Sequence, residues 1–459
     1  MKNLTIENIV KAVEGELFYC SDNNSITAEN VVIDSRISTT NSVFIATKGE
    51  RVDGHSFIKA VFDKGALAAI VEKLPEEEYG PCILVKDSFK ALRDLAEYYR
   101  KQLNVKVVGI TGSVGKTSTK EFVAGVLSEE FNVLKTEGNF NNEIGVPLTL
   151  LKIRDEHEIA VIEMGINHFG EMTRLSKMAR PDYCVITNIG ECHLEYLGDR
   201  DGVLKAKTEI FEYMNKGGRV VVNGDDDKLS TLSQVYNNSV VKIGIDCKNL
   251  DYYASDIVDK GLWGNEFIVN SKEYSLKMCE PLPGRHMIYN ALTAAAVAGF
   301  FNMKSENVRT GLAKLKAVGG RSNIIKTEKY TVVDDCYNAN PTSVKSAIDM
   351  ISKIDTSKVV ILGDMFELGE DEIALHKKVG EYAAENNIDR IICIGELSRA
   401  MYEGAKKISG NVFWFKDVDS ALNEIFDILK AGDTVLIKAS HGMAFNRIVD
   451  KVIEKTKVF

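Results

Sequence analysis

The residues with the clearest chemical meaning lie in the run VVGITGSVGKTST, at positions 107–119. An apolar, β-branched stretch ends in a glycine-punctuated turn, and Lys116-Thr117 then open a pattern typical of a helix. Backbone N–H groups in such a turn, together with the positive end of the helix dipole, bind phosphate oxygens. A lysine at this position reaches the β- and γ-phosphates of a nucleotide, and a threonine hydroxyl binds Mg²⁺. The run therefore predicts a nucleoside triphosphate site formed by Gly112, Ser113, Gly115, Lys116, Thr117 and Ser118.

The spacing departs from the general phosphate-loop pattern GxxxxGK[ST] at one position. That pattern expects a glycine where this chain has Ile110, so TGxxGKT describes the loop better. The competing interpretation is a glycine turn that carries an exposed lysine and binds no ligand.

Three further side chains are candidates for chemistry near this loop. Glu163 ends the apolar run IAVIE, where an acid of the Walker B type would hold Mg²⁺. His193 follows the next predicted strand, where its imidazole could join a second metal site. Lys207 lies on a predicted amphipathic helix over residues 199–214, and from the sequence alone we expect a solvated surface cation. Each residue also has a purely structural interpretation.

The alternation of strand and helix patterns predicts an α/β protein of three domains. They are a small N-terminal α/β unit (1–103), a central P-loop ATPase with a mostly parallel sheet (104–319) and a C-terminal Rossmann-like α/β domain (320–459). A β-hairpin is predicted within residues 250–283, with Trp263-Gly264 at its turn. No GxGxxG follows the first strand of the last domain, which argues against a dinucleotide.

Polar residues at strand ends and in glycine-rich loops predict where ligands bind. Ser35, Arg36 and Lys48 lie at strand ends of the first domain, and Arg36 and Lys48 could meet a diphosphate, although taken alone these are ordinary solvated turn residues. The polar loop 136–147 predicts a substrate-facing segment, and Asn290 is a candidate purine contact within an alanine-rich helix. The remaining candidates are Asn139, Asn142, Asp335, Tyr337, Asn338 and Asn340.

Composition narrows the class of partner. The net charge of −9 over 459 residues argues against non-specific binding to nucleic acid or to an anionic membrane. The eight cysteines form no CxxC pair, which favours reduced thiols. The N-terminus has no apolar signal core, and no run of about 18 apolar residues occurs. We therefore expect a cytoplasmic monomer that acts on small molecules, with no nucleic acid and no membrane as partner.

Several motifs together resemble the Mur ligases, the ATP-dependent amide-bond ligases of bacterial cell-wall synthesis. They are TGSVGKT (111–117), EGNFNNEIGVP (137–147), EMG (163–165), NIGECHLE (188–195) and DCYNANP (335–341). With DSR, GERVDGH and GDMFELG, the resemblance spans nearly the whole chain. It is strongest to the member that adds D-alanyl-D-alanine to UDP-N-acetylmuramoyl-tripeptide. It implies ligation through an acyl phosphate, with ATP and two Mg²⁺ ions, in peptidoglycan precursor synthesis.

The resemblance also implies roles for single residues. Thr117, Glu163 and His193 correspond to metal ligands. Lys207 corresponds to a lysine that this family carbamylates, which would turn a cation into an anion beside Mg²⁺. The implied nucleotide contacts are Lys116, Asn290, Arg321, Asp335, Tyr337 and Asn338, and the implied uridine diphosphate contacts are Ser35 and Arg36.

One departure and two alternatives remain. The chain has KASH at 438–441, where relatives usually have KGSR, and His441 would hold a substrate carboxylate less firmly than arginine and in a pH-dependent way. A folylpolyglutamate-type ligase shares the ATPase core, but it would not be expected to carry the DSR unit or the DxYNANP stretch. A nucleotide-gated switch of the GTPase kind would be expected to carry an NKxD motif, which is absent from the sequence.

Overall fold

The computed structural model describes residues 1–19, 26–49, 52–236, 238–248 and 250–456. Glu50 and Arg51 of the GERVDGH motif, and one of the eight cysteines, lie outside these ranges. Within them the chain forms three β-sheets with helices packed against them, which confirms the predicted α/β class. No helix of the described ranges is long and apolar enough to span a bilayer.

The first sheet has five strands in the order β1-β5-β4-β3-β2, and only the β1–β5 pair is antiparallel. Its inner strands are buried along their length, which explains their continuous apolar sequence. The elements are α1 (Ile6–Val13), β1 (Glu16–Phe18), β2 (Asn30–Val32), β3 (Ser42–Ile45), α2 (Ile58–Asp63), β4 (Ala68–Val71), β5 (Cys82–Leu84) and α3 (Ser88–Arg100).

The second sheet has the strand order β15-β14-β13-β12-β10-β9-β6-β8-β7, with β11 paired antiparallel to β12. The pairings β15–β14 and β14–β13 are antiparallel, and all pairings from β13 to β7 are parallel. The elements are β6 (Lys106–Thr111), α4 (Lys116–Leu127), β7 (Val133–Lys135), α5 (Gly145–Leu150), β8 (Ile159–Glu163), α6 (Glu171–Ala179), β9 (Tyr183–Ile186), α7 (Leu194–Leu197), α8 (Arg200–Thr208), β10 (Arg219–Asn223), β11 (Gln234–Val235), β12 (Asn238–Gly244), β13 (Tyr252–Asp259), β14 (Asn265–Asn270), β15 (Ser275–Glu280), α9 (His286–Phe300) and α10 (Ser305–Ala313).

The position of β6 decides where the candidate residues meet. It lies between β8 and β9, and its last residues pair with Glu163 and Ile186. The carboxyl ends of three parallel strands therefore open at one edge, as a ligand site in such a sheet requires. The alanine-rich α9 packs closely on α4 because its small side chains let the two backbones approach.

The third sheet has six strands in the order β16-β17-β21-β18-β19-β20, parallel except for the β16–β17 pair. Its strands carry two apolar faces, each covered by helices. The elements are β16 (Asn323–Lys326), β17 (Thr331–Asp334), α11 (Pro341–Ser352), β18 (Lys358–Gly363), α12 (Glu372–Glu385), β19 (Arg390–Ile394), α13 (Ser398–Ala405), β20 (Val412–Phe415), α14 (Val418–Ile428), β21 (Thr434–Lys438) and α15 (Asn446–Glu454).

The predicted helix over residues 199–214 is wrong in length. Asp199 caps the helix by accepting from the Gly202 N–H, and α8 ends at Thr208. A 3₁₀ turn over Glu209–Phe211 follows and buries Phe211 in the core. The amphipathic pattern continues past Thr208, where the α-helix gives way to the 3₁₀ turn, because both helix types place apolar residues on one face.

The predicted hairpin is confirmed as β13–β14, and its turn reaches the third unit. Leu262 packs against the core of that unit, and Lys326 lies over the Trp263 ring at 4.1 Å. Asp259 and Lys353 form an ion pair across the same junction at 3.4 Å. The β13–β14 hairpin of the central sheet therefore supports the third unit, although it lies well before residue 319, the predicted domain boundary.

Candidate active site

The glycine turn between β6 and α4 has the conformation that phosphate binding needs. Gly112 and Gly115 have positive φ values of 149° and 85°. A Cβ on Gly112 would lie 1.8 Å from Oγ1 of Thr187, so no other residue fits there. Helix α4 begins at Lys116, and its N-cap Gly115 has no side chain to bond the first N–H groups. These donors remain available to an anion.

Lys116 folds back over this turn. Its ammonium donates to the carbonyl oxygen of Gly112 at 2.8 Å. Burial lowers the pKa of Lys116, and the Glu163 carboxylate opposes that shift. The ammonium is thus held by a carbonyl, from which it can move to a phosphate oxygen without losing a strong ion pair.

Glu163, at the end of β8, is buried and fully bonded. Thr117 Oγ1 donates to Glu163 Oε2 at 2.8 Å, and Asn141 Nδ2 donates to Oε1 at 2.8 Å. The ammonium of Lys120, itself 1% exposed, lies 3.9 Å from the carboxylate. The sequence prediction named Thr117 and Glu163 but missed Asn141 and Lys120. Their signals were present: one polar residue of the loop 136–147, and a lysine three residues beyond Thr117 on the same helix.

A cavity of about 630 Å³ lies in front of the phosphate loop, between the central and third units. Such a volume suits a small-molecule ligand. Ser35, Arg36, Lys48, Gly112 and Lys207 are not among the residues that line it. The predicted residues that do line it are Ser113, Gly115, Lys116, Thr117, Ser118, Asn139, Asn142, Glu163, His193, Asn290, Arg321, Asp335, Tyr337, Asn338 and Asn340.

Lys207 contradicts its interpretation as a solvated cation. It is 1% exposed and lies on α8. The pKa of Lys207 is lowered to about 8, chiefly by burial and also by the charge of Lys116, while Cys192 acts in the opposite direction. Periodicity could not show this, because a buried lysine and an exposed one give the same pattern in a helix as short as α8. Only the family resemblance had singled out the residue.

His193 is the N-cap of α7 and has a left-handed backbone with φ of 53°. Its Nδ1 lies 2.7 Å from Oε2 of Glu367, which comes from the third unit. The approach is oblique, so that among the described residues this buried nitrogen has no hydrogen-bond partner. Glu367 was not predicted as a site residue, although it belongs to the GDMFELG motif.

The third unit contributes Lys438 to the cavity wall. The ammonium of Lys438 donates to Asp335 Oδ2 at 2.7 Å and to the carbonyl oxygen of Asn338 at 2.9 Å. The Arg321 guanidinium lies over the Tyr337 ring at 4.1 Å. These contacts hold a cationic group and an aromatic face at the cavity wall.

Several residues predicted to contact ligands also make hydrogen bonds within the protein. Asn340 caps α11 by accepting from the N–H of Ser343 at 2.8 Å. The side chain of Asn142 accepts from Gly145 N–H at 2.9 Å, within its own loop. Asn290 Oδ1 accepts from the Thr119 hydroxyl at 2.8 Å and so joins α9 to α4. Their ligand contacts stay predictions.

Two of the predicted diphosphate residues of the first unit lie on a 3₁₀ turn (Ser35–Ile37), where Ser35 is half-buried and Arg36 is exposed. The Arg36 side chain is paired with Asp34 at 2.7 Å, and hydrogen bonds from Arg36 lower the pKa of Asp34 to about 2. The ammonium of Lys64 donates to the Ser35 carbonyl oxygen at 2.8 Å. Lys48 is exposed. The Arg36 guanidinium is accessible to an anion.

The turn that leads into α9 is fixed by a buried pair. Asn265 Nδ2 donates to the Glu280 carboxylate and to the carbonyl oxygen of Gly284, the latter at 3.2 Å. The Leu282 N–H donates to the second carboxylate oxygen at 2.8 Å. Burial raises the pKa of Glu280 to about 7. The pair sets the start of the helix that presents Asn290 to the cavity.

We expect Glu280 to make stability depend on pH. Its carboxyl holds its proton in the folded chain at pH values where the unfolded chain has lost it, so this contribution is complete below pH 4.5 and is lost as the pH rises through about 7. Relative to Glu280→Gln, the wild type should lose about 2 to 3 kcal/mol between pH 5 and pH 8. Urea denaturation midpoints of both proteins measure this, with the exposed Glu273→Gln as control. A constant difference across that range would contradict the prediction.

The residues around the phosphate loop fit a magnesium ion. A hydroxyl (Thr117) and a carboxylate (Glu163) meet at 2.8 Å, and oxygen donors of these kinds are the ligands that Mg²⁺ prefers. Among the described residues, no group of three His, Cys, Asp or Glu side chains is arranged to hold a metal. Mg²⁺ needs none, since it usually takes its other ligands from water and substrate phosphates. His193 lines the same cavity and offers a ring nitrogen to a second ion.

Comparison with known proteins gives the family. Three family models match successive parts of the chain: the Mur ligase family catalytic domain at 27–108, the Mur ligase middle domain at 110–298 and the Mur ligase glutamate ligase domain at 320–441. A Bacillus subtilis relative, UDP-N-acetylmuramoyl-tripeptide–D-alanyl-D-alanine ligase, is 37% identical over 98% of both chains. The chain belongs to the Mur ligase family. The Escherichia coli protein with the same name is 36% identical, again over 98% of both chains.

Solved Mur ligase structures have the same overall fold. A crystal structure of MurF from Acinetobacter baumannii superimposes with a TM-score of 0.90, at 31% identity and 98% coverage of both chains. MurF ligase from Thermotoga maritima in complex with ADP gives a TM-score of 0.82 at 28% identity, covering 93% of this chain and 97% of that one. Folylpolyglutamate synthase from Mycobacterium tuberculosis shares the fold at 16% identity, with a TM-score of 0.65. The Mur ligase fold therefore extends over all three units.

Proposed function

We propose that this chain is an ATP-dependent ligase that joins D-alanyl-D-alanine to UDP-N-acetylmuramoyl-tripeptide, in the synthesis of peptidoglycan precursors. The observation that supports it most directly is similarity over 98% of the chain to ligases of that name. The phosphate loop facing a buried acid and a cavity supplies the chemistry that such a reaction needs.

The reaction must convert a carboxylate, which is a poor electrophile, into a good one. The tripeptide carboxylate attacks the γ-phosphorus of ATP, and the bond from that phosphorus to the β-phosphate oxygen breaks. ADP departs, and the tripeptide becomes an acyl phosphate. The amine of D-alanyl-D-alanine then attacks the acyl carbon, loses a proton, and releases phosphate. In this proposal Lys116 and Arg321 bind the negative charge that develops on the γ-phosphate oxygens.

Magnesium and a modified lysine belong to the same proposal. Thr117 and Glu163 would hold one Mg²⁺, and His193 a second, which would neutralise phosphate charge when bound. A carbamate on Lys207 would bring an anion toward that second position. The other proposed nucleotide contacts are Gly112, Ser113, Gly115, Ser118, Asn290, Asp335, Tyr337 and Asn338.

We assign one task to each proposed domain. Residues 1–103 bind the uridine diphosphate of the substrate through Ser35, Arg36 and Lys48, and residues 104–319 bind ATP. Residues 320–459 close over the nucleotide and bind D-alanyl-D-alanine, which keeps water from the acyl phosphate. The proposed peptide contacts are Asn139, Asn142 and Asn340.

A monomer suffices in this proposal, because every residue it uses comes from one chain. ATP is a cytoplasmic substrate, which is the reason we propose a cytoplasmic location. These two statements are tested by light scattering of the purified protein and by fractionation of the cells that make it.

The test is phosphate release from ATP by the purified chain, with the UDP-linked tripeptide and D-alanyl-D-alanine supplied separately and together. We expect release, and a product of the mass of the UDP-linked pentapeptide, only when both are present. Tripeptides ending in lysine and in diaminopimelate are tested in parallel, because the sequence does not choose between them. Release with neither substrate would favour a nucleotide switch, and release with a folate and glutamate would favour the folate-type ligase.

A further inference from the structure

A contact between two units joins His193 to Glu367. Glu367 follows β18 in the third unit and, like His193, has a left-handed backbone, with φ of 63°. Its Oε2 atom lies 2.7 Å from His193 Nδ1. That nitrogen is buried, and it has no other partner within the described part of the chain. Non-glycine residues adopt positive φ only at some cost, so the surrounding structure must hold both residues in these conformations.

The segment that carries Glu367 is held firmly on both sides. The Met365 N–H donates to His376 Nε2 at 2.9 Å, and the Phe366 N–H donates to Ser440 Oγ at 3.0 Å. Beyond it, Gly369 lies beside the other unit, where a Cβ would make an ordinary van der Waals contact of 3.5 Å with the Glu195 N atom. Glu367 is therefore presented to His193 by a fixed frame that rests on the segment following His193.

The geometry matches a recurrent arrangement in metal sites. A histidine that binds a metal through one ring nitrogen commonly donates its other N–H to a carboxylate, which fixes the tautomer and the ring orientation. Here the carboxylate faces Nδ1, and His193 also lines the nucleotide cavity. The oblique approach becomes a hydrogen bond when the imidazole turns into line, since the two atoms are already 2.7 Å apart.

We propose that Glu367 is a positioning residue for His193: it accepts a hydrogen bond from Nδ1–H and so leaves Nε2 free to bind the second metal ion. This rests on the proposed function, in which His193 is a metal ligand. The carboxylate and the imidazole belong to different units, so that the metal site acquires its full geometry only when the third unit is docked on the central one. Metal binding and docking therefore favour each other.

The test measures metal binding directly. Mn²⁺ replaces Mg²⁺ in the full-length protein with ADP, and free Mn²⁺ is counted by its electron paramagnetic resonance. We expect Glu367→Ala to weaken one class of Mn²⁺ site by about 10- to 100-fold. Glu367→Gln keeps an oxygen acceptor and should restore most of that affinity. The matched control is Glu370→Ala, an exposed glutamate three residues further on.

A double mutant separates positioning from a general effect on docking. If Glu367 acts through the imidazole, Glu367→Ala should have no further effect on Mn²⁺ affinity in a His193→Ala background. Wild-type affinity in Glu367→Ala, or an equal loss in both backgrounds, overturns the proposal. Failure of the proposed function would look different: the wild type would make no ligated product, whatever the Mn²⁺ affinities.

Discussion

Replacing Lys116 by alanine is expected to reduce ligation by on the order of 10³-fold or more while the protein stays folded. The ammonium lies at the first residue of α4, 2.8 Å from the Gly112 carbonyl oxygen, and it lines the cavity. When ATP occupies the loop, we expect the Lys116 ammonium to move to the β- and γ-phosphates. Negative charge grows there as the bond to the γ-phosphoryl group breaks. No other lysine of the phosphate loop can take its place, because Lys120 is held by the carbonyl of Thr136 at 2.6 Å.

Folding should survive this substitution. Burial lowers the pKa of Lys116, which means that its charge is an expense to the folded state rather than a support of it. Product formation, measured by mass spectrometry, gives the loss of activity, and near-ultraviolet circular dichroism verifies the fold. The control is Lys314→Ala, which removes an exposed lysine of the same unit. Turnover near that of the wild type in Lys116→Ala would refute the assignment of the site.

The sequence predicted those helices and strands whose own residues are enough to identify them. The strand β8 is an apolar run that ends in an acid, and a parallel strand buried on both faces is expected to be apolar along its length. The short edge strands β7, β16 and β20 were not predicted, and neither was β12, which lies inside the central sheet but is itself partly exposed. Edge strands are partly exposed, so their sequences lack the continuous apolar character that identifies a central strand.

The site was predictable where neighbouring residues of the chain act together, as at Thr117 and its loop. It was not predictable where distant residues meet. The contact of His193 with Glu367 joins positions far apart in the chain, and nothing in either local sequence reveals it. Burial of Lys207 is of the same kind, because it depends on what covers α8 rather than on α8 itself.

The environment of Lys207 favours the neutral amine, and this is the physical reason to expect a carbamate there. Carbamate formation requires an uncharged nitrogen: the amine attacks the carbon of CO₂, a C–N bond forms, and one proton is released. With a pKa of about 8, about a tenth of the side chain is neutral at pH 7, against about one part in 3,000 for an unperturbed lysine. The product carries a negative charge, so the repulsion between the Lys207 ammonium and Lys116 is replaced by attraction.

Lys207→Arg is therefore expected to lose ligation by on the order of 10²-fold or more, because a guanidinium keeps the positive charge and cannot be carbamylated. The matched control is Lys205→Arg, an exposed lysine two positions earlier on α8, which should remain active. Incubation with ¹³C-bicarbonate should give a carbamate resonance in the wild type and in Lys205→Arg, but none in Lys207→Arg. Removing CO₂ should lower the activity of the wild type, and bicarbonate should restore it. An active Lys207→Arg enzyme, or a labelled resonance that persists in it, would exclude the carbamate, since only a neutral lysine amine at this position can form it.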